Sequence, residues 1–158
     1  MYEGITEIEW AQLATWLNSD GSISIQKSRP KRLGLTPIYR SRVAVSNTNR
    51  NVMDWLQTRF GGAVYLALRR PGHKPVLVWR CAAAERLALL KQALPYLIVK
   101  QDRASLAIRY EEAMTWNGKS EKGRRPSAIM PMVEQERREA LYQQSLQLNR
   151  KGSVDGSY

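Results

Sequence analysis

The sequence is short of the residues from which disulfide scaffolds and metal centres are built. It contains one cysteine, Cys81, and one histidine, His73. A single cysteine excludes an internal disulfide framework and any multi-cysteine metal site. His73 follows Pro71-Gly72, a turn-forming pair, and a lone imidazole in a turn is far more often solvated than a ligand. No apolar run approaches the roughly 20 residues that span a bilayer, and no charged segment precedes an apolar one at the N-terminus. The expectation is a soluble, intracellular chain without membrane contact. Charge of one sign is also missing from whole regions. Residues 1–20 hold Glu3, Glu7, Glu9 and Asp20 and no Lys or Arg, whereas residues 21–84 hold twelve Lys/Arg and one acidic residue, Asp54.

What is present suffices for one folded domain. The chain has 158 residues, 43% of them hydrophobic, enough for a core of its own. A single domain over 1–150 is expected, with a disordered tail over 151–158. The net charge is +11 and the pI about 10.2, which makes a polyanion the first partner to consider. A merely soluble basic surface is the plain alternative. Against it, the excess falls on segments that read as strands.

Thr6 and Glu9 form a T-x-x-E capping box flanked by Ile5 and Trp10, which predicts a helix from Glu7 to about Ser19. Trp10, Leu13, Ala14 and Leu17 make its apolar face. A second stripe has only small residues: Ala11, Ala14, Thr15, Asn18 and Ser19. Such a stripe lets another backbone approach closely, or simply packs on the chain's own sheet. Gly21 ends the helix, and alternation then predicts a strand with Ile23 and Ile25 inward. "IYRSRVAVS" reads as a second strand with Tyr39, Val43 and Val45 inward. Ser46 or Asn47 is expected to cap a second helix with the stripe Val52, Trp55, Leu56 and Phe60, closed by Gly61-Gly62. "AVYLALRR" reads as strand three with Val64, Leu66 and Leu68 inward. "VLVWRC" reads as strand four, with Leu77 and Trp79 opposite Arg80. Helices follow over "AAAERLALLKQAL", about 101–116 and about 132–149. Trp10, Trp55 and Trp79 are core by spacing. The fold class is α+β, in the order α-β-β-α-β-β-α plus C-terminal helices. Its two hairpins form a four-stranded antiparallel sheet, apolar under the helices and Arg-rich on the open face.

"LATWLNSDG" (Leu13–Gly21) resembles the LAGLIDADG motif, matching at Leu13, Ala14, Asp20 and Gly21, with Leu17 a conservative match. The element order is that of the LAGLIDADG homing endonucleases, and "LPYLIVKQDRASLAI" (Leu94–Ile108) is similar to the family's stretch in which a lysine precedes a helix. The resemblance covers about residues 5–116. It implies a site-specific double-strand DNA endonuclease, with two sheets forming a saddle on a near-palindromic site. One motif and no internal repeat imply a homodimer paired through the motif helix at Ala11, Ala14, Thr15, Asn18 and Ser19. Asp20 is implied as the metal-binding carboxylate and Gly21 as a carbonyl ligand, for Mg²⁺ or Mn²⁺. Lys100 and Arg50 are implied near the scissile phosphate, and Ser46 where relatives place a water-positioning glutamine. The motif departs from the family pattern where Asn18 replaces an Asp, where Thr15 and Ser19 replace smaller residues, and where Trp16 is bulky. Thr15 and Ser19 are expected to loosen the helix pair or alter its crossing, whereas the Asp that Asn18 replaces is implied to be more structural than metal-binding, so that chemistry survives its loss.

On that reading the outward positions Ser22, Ser24, Gln26, Ser28, Arg40, Arg42, Tyr65, Ala67, Arg69 and Arg80 face base edges. Arg suits guanine, Gln suits adenine and Ser suits either kind of edge. Lys27, Arg29, Lys31, Arg32, Arg70, Lys74, Lys119, Lys122, Arg124 and Arg125 are expected on phosphates. Two other functions fit the same fold, a non-catalytic DNA-binding regulator and an intron RNA maturase. Asp20 and Lys100 favour the nuclease, because a pure binder has no need of a carboxylate against phosphates. The polar face suits duplex DNA better than single-stranded RNA.

Overall fold

The first helix starts where the capping box puts it. In the computed structural model, which describes residues 2–30, 34–67, 71–114 and 130–150, α1 spans Glu7–Asp20 with Thr6 as its N-cap. The Glu9 N–H donates to Thr6 Oγ1 at 3.2 Å and the Thr6 N–H to Glu9 Oε2 at 2.9 Å. Two amides at the helix start, where no carbonyl is available to them, are thus satisfied reciprocally. Arg59, from the next helix, grips the same carboxylate and also donates to Gly4 O at 3.0 Å.

β1 (Gly21–Ser28) and β2 (Ile38–Asn47) pair antiparallel, with Gly21 opposite Val45 and Ser28 opposite Ile38. α2 (Arg50–Phe60) leads to β3 (Ala63–Leu66) and β4 (Leu77–Arg80). The sheet order is β1-β2-β4-β3, antiparallel throughout. α3 (Arg86–Ala93) runs into a 3₁₀ turn, Leu94–Tyr96, followed by α4 (Gln101–Glu112) and α5 (Met132–Leu148). This is the expected α+β order.

One face of the sheet carries the core. Ile23, Val43, Val45 and Trp79 are fully buried against Leu13 and Leu17 of α1, Leu56 and Phe60 of α2, and Leu89 and Leu90 of α3. Each such side chain contributes about 1.5–3 kcal/mol by leaving water. A one-residue slip of register would turn the whole set outward, which is why the pairing is unambiguous. Cys81 is part of this core, and burial pushes its thiol up to about 11. His73 is exposed, as expected.

α5 covers the outer edge of β1. The Ile25 N–H donates to Ser145 Oγ at 2.8 Å, and Asn149 Nδ2 donates to Ile23 O at 3.3 Å. Two side chains thereby stand in for a fifth strand on an edge that would otherwise invite pairing with another chain.

Several local expectations are corrected. The α2 cap is Asn49, whose side chain accepts from Asn51 N at 3.0 Å, rather than Ser46 or Asn47. Met53 joins Leu56 and Phe60 in the buried α2 stripe, while Val52 and Trp55 lie half-buried at its margin, so Trp55 is not a core tryptophan. Leu66 is 56% exposed instead of inward. It lies on an edge strand beyond Val64, the residue of β3 that packs on the core. α3 starts at Arg86, because Cys81 is still bonded to Val43 O at 3.0 Å and the chain needs Ala82–Glu85 to turn.

Replacing Ser145 by Ala leaves the Ile25 N–H buried without its partner and is expected to cost about 1–3 kcal/mol, read as a lower urea midpoint. Acid should also destabilise the fold. The Arg59 hydrogen bond, then that of the Thr6 backbone, holds Glu9 down to about 2 from an ordinary 4.5, and Lys27, Tyr39 and Gln143 hold Glu139 equally low. A depressed carboxylate stabilises above its unfolded pKa, and that contribution is lost as pH falls from 4.5 through about 2. The thermal midpoint should drop over that window, and drop less in a Glu9→Gln, Glu139→Gln double variant.

Candidate active site

The last turn of α1 is built to end abruptly. Gly21 leaves it in extended backbone, φ −86° and ψ 162°. A Cβ at this position would lie 2.4 Å from Leu17 Cα and 2.5 Å from Leu17 O. Glycine is required here for space, so that strand and helix can diverge at once. Asp20, the final helical residue, is exposed. It receives Asn47 Nδ2 on Oδ2 at 2.7 Å, and Asn47 Oδ1 in turn accepts the Asn49 N–H at 2.8 Å. α1 has no basic residue in its last turn. A carboxylate beside the negative end of a helix dipole is electrostatically unfavourable, and a cation relieves that cost.

Part of the relief comes from Lys100, 6% exposed at the start of α4. Its Nζ donates to Leu17 O at 2.6 Å, Asn18 O at 3.0 Å and Gly21 O at 2.7 Å. Three ammonium protons meet two carbonyls from the last turn of α1 and that of Gly21, the first residue of β1. Burial, with Arg103 nearby, lowers the lysine pKa from 10.5, and Asp20 opposes the shift. Asn18 ties the same turn to the preceding loop, accepting from the Ile98 and Val99 N–H groups at 3.2 and 3.1 Å. The Asn in place of the motif's Asp is therefore a structural clasp.

Of the other implied site residues, Ser46 is exposed on the open face, and its neighbour Asn47 is the residue that meets Asp20. The signal was in the alternation. Asn47 shares a face with Val43 and Val45, the side on which α1 packs. Arg50 makes an exposed pair with Asp54 at 2.9 Å, one turn along α2.

The open face matches its expectation at most positions. Ser22, Gln26, Ser28, Arg40 and Arg80 are exposed, and Ser24, Arg42 and Ala67 half-buried. Tyr65 is 40% exposed. Arg29 and Lys74 are exposed outside the strands. Lys27 is corrected. It sits on the helix side with Ile23 and Ile25, with Nζ 2.7 Å from Glu139 and over the Tyr39 and Tyr142 rings. Lys31, Arg32, Arg69, Arg70, Lys119, Lys122, Arg124, Arg125 and the tail lie outside the described residues.

Among the described residues no three His, Cys, Asp or Glu side chains group to hold a metal. The Asp20 carboxylate suits a hard divalent cation, and the Gly21 carbonyl, already accepting from Lys100, keeps a second lone pair for one, but together they amount to half a site. The small-residue stripe of α1 is also corrected. Ala14 is 1% exposed within the core, and Asn18 is engaged with the loop. Ala11, Gln12, Thr15 and Ser19 line the open side, with Ile8 71% exposed. Lys100→Met should cost about 1–3 kcal/mol, because it leaves the carbonyls of Leu17, Asn18 and Gly21 without this donor. Denaturant unfolding checks this, with Lys91→Met, at an exposed ion pair, as the silent control.

No protein-family model and no curated protein matches the sequence. Solved structures do. The homing endonuclease I-CvuI, in complex with a DNA target in the presence of Mg, is similar at 21% identity and a TM-score of 0.56, over 67% of each chain. The archaeal intron-encoded homing endonuclease I-Vdi141I, complexed with DNA, is similar at 12% identity and a TM-score of 0.67, over 96% of this chain and 90% of the other. The group I intron-encoded I-CeuI, complexed with DNA, gives 17% and 0.51 over 68% of this chain and 56% of its own. The abrupt helix end at Asp20, the open antiparallel sheet and these likenesses converge on one conclusion: the chain has the fold of the LAGLIDADG homing endonucleases.

Proposed function

We propose that the chain is a site-specific, divalent-metal-dependent DNA endonuclease that acts as a homodimer on a near-palindromic duplex. The observation that carries this reading is Asp20. It is an exposed carboxylate placed against a helix dipole that disfavours it, at the junction of α1 and an arginine-bearing open sheet. A binding protein gains nothing from that arrangement. A cation-dependent hydrolase does. The DNA-bound state of the similar structures supports taking the open face as the duplex-binding one.

A dimer follows from the half-site and from the surface around α1. Thr15 Oγ1 and Ser19 Oγ donate back to Ala11 O and Thr15 O, at 2.9 and 3.0 Å. The stripe therefore presents carbon rather than unbonded hydroxyls to a close neighbour. Ile8, Ile98 and Val99, at 71%, 85% and 69% exposure, and a groove of about 410 Å³ between Trp16 and Trp55 extend the apolar area. A second copy would cover it and bring a second Asp20 carboxylate to the first.

Asp20 and the Gly21 carbonyl would hold Mg²⁺ or Mn²⁺ jointly with their dimer equivalents, and the ion would supply an acidified water and charge neutralisation at the phosphate. Asn47 orients the carboxylate through Oδ2. Lys100 acts as a positioning residue, fixing the helix end from which Asp20 and Gly21 project. Arg40 and Arg80 on the sheet hold the duplex through base edges and phosphates.

Incubation with a randomised duplex library, followed by sequencing of the broken ends, tests the proposal. Metal-dependent breaks at one near-palindromic site are expected, abolished by a chelator. Asp20→Asn should reduce cutting by about 100-fold or more, since changing even an outer partner of a metal ligand costs about 10–100-fold. Duplex affinity should stay within about threefold. Tight retention without cutting by the unaltered chain would instead make it a DNA-binding regulator.

A further inference from the structure

Three side chains from three strands meet on the open face. Arg42 of β2 lies opposite Ser24 of β1, and Arg80 of β4 lies between Ala44 and Ala63. Tyr65 of β3 shares their side, two residues along from Ala63. Arg42 Nη2 donates to the Tyr65 hydroxyl at 3.0 Å, while the Arg80 guanidinium sits over the Tyr65 ring, 5.9 Å from its centroid. One tyrosine thus engages two arginines by two different interactions, a hydrogen bond at its tip and a cation–π contact at its face.

The surroundings make Tyr65 the residue on which the pair depends. Arg42 Nε is buried without a partner among the described residues, so the Tyr65 bond is what sets the plane of that guanidinium. Ala44 is 2% exposed although it is on the open face with Arg42 and Arg80. The cluster borders a cavity of about 670 Å³ lined also by Gln26, Arg40 and Ala63. An arginine free to swing loses rotamer entropy when it binds and accepts several base edges. One whose plane is fixed beforehand loses less, and discriminates.

We propose that Tyr65 is a positioning residue for specificity. It pre-orders Arg42 and Arg80 to read guanine O6 and N7 at two separate base pairs of each half-site, and it does not itself choose a base. This rests on the duplex-binding reading of the open face. The two interactions are separable, because Tyr65→Phe removes the bond to Arg42 and keeps the ring under Arg80, whereas Tyr65→Leu removes both.

The experiment is selection of bound sequences from a randomised duplex pool by the full chain, by Arg42→Ala and Arg80→Ala to map which base pair each arginine reads, and by the two Tyr65 variants. Circular dichroism melting confirms that each variant is folded. Tyr65→Phe should weaken the guanine preference at the Arg42-dependent pair by about fivefold or more, within the range of a bidentate contact, and leave the Arg80-dependent pair intact. Tyr65→Leu should weaken both. Unchanged preferences in Tyr65→Phe, or loss at a pair that neither arginine controls, would overturn the proposal while leaving duplex recognition standing. If the unaltered chain enriches no sequence at all, the duplex-binding reading falls and takes this proposal with it.

Discussion

Everything near the candidate site depends on how α1 is stopped. A helix end leaves carbonyls that need donors, and here a single buried ammonium supplies three hydrogen bonds, to Leu17, Asn18 and Gly21. Asn18 Oδ1 accepts two loop amides from the other direction, so the turn is held as an acceptor from two sides. With no room for a Cβ at Gly21, the chain leaves at once as β1. The position of Asp20 is fixed by the last turn of α1, by these contacts and by Asn47.

The same junction sets the geometry of the sheet. Because β1 begins at Gly21 opposite Val45, the register is anchored where helix and strand meet, and the period of two then assigns each residue to a face. Apolar residues go under the helices, arginines and serines go outward, and the basic excess of residues 21–84 becomes a surface. α5 seals β1 through Ser145 and Asn149 and takes Lys27 out of that surface into a pair with Glu139. A positive charge counted from composition is therefore not the same as one offered to a polyanion.

Local signals were legible in the chain itself. The Thr6–Glu9 box marked the helix start, because both partners lie within one turn. The alternation around Ile23, Val43 and Trp79 marked the strands and their buried side. The Asp20-Gly21 pair stood out because it closes the stretch Leu13–Gly21 that resembles the LAGLIDADG motif, since a helix-end Asp before a Gly is common by itself. What the pattern missed involved distant partners. Ser46 and Asn47 are adjacent polar residues, and only the packing of α1 on the Val43 side shows which of them meets Asp20. Leu66 fits the inward pattern and is nonetheless exposed, because the core at the β3 edge ends at Val64.

The sequence by itself determined where the first helix and the first two strands begin, which face of each is apolar, and that one acidic residue ends the first helix. These follow from interactions within about one turn or one strand period, where chain connectivity already places the partners. Only the tertiary structure decided that Lys100, 79 residues beyond Gly21, caps that helix, that Ala14 belongs to the core rather than to an open stripe, and that Tyr65 joins Arg42 to Arg80. The physical reason is the same in each case. A hydrogen bond or a burial is settled by which group arrives, and for residues far apart in sequence that is a property of the packed layers, not of the chain.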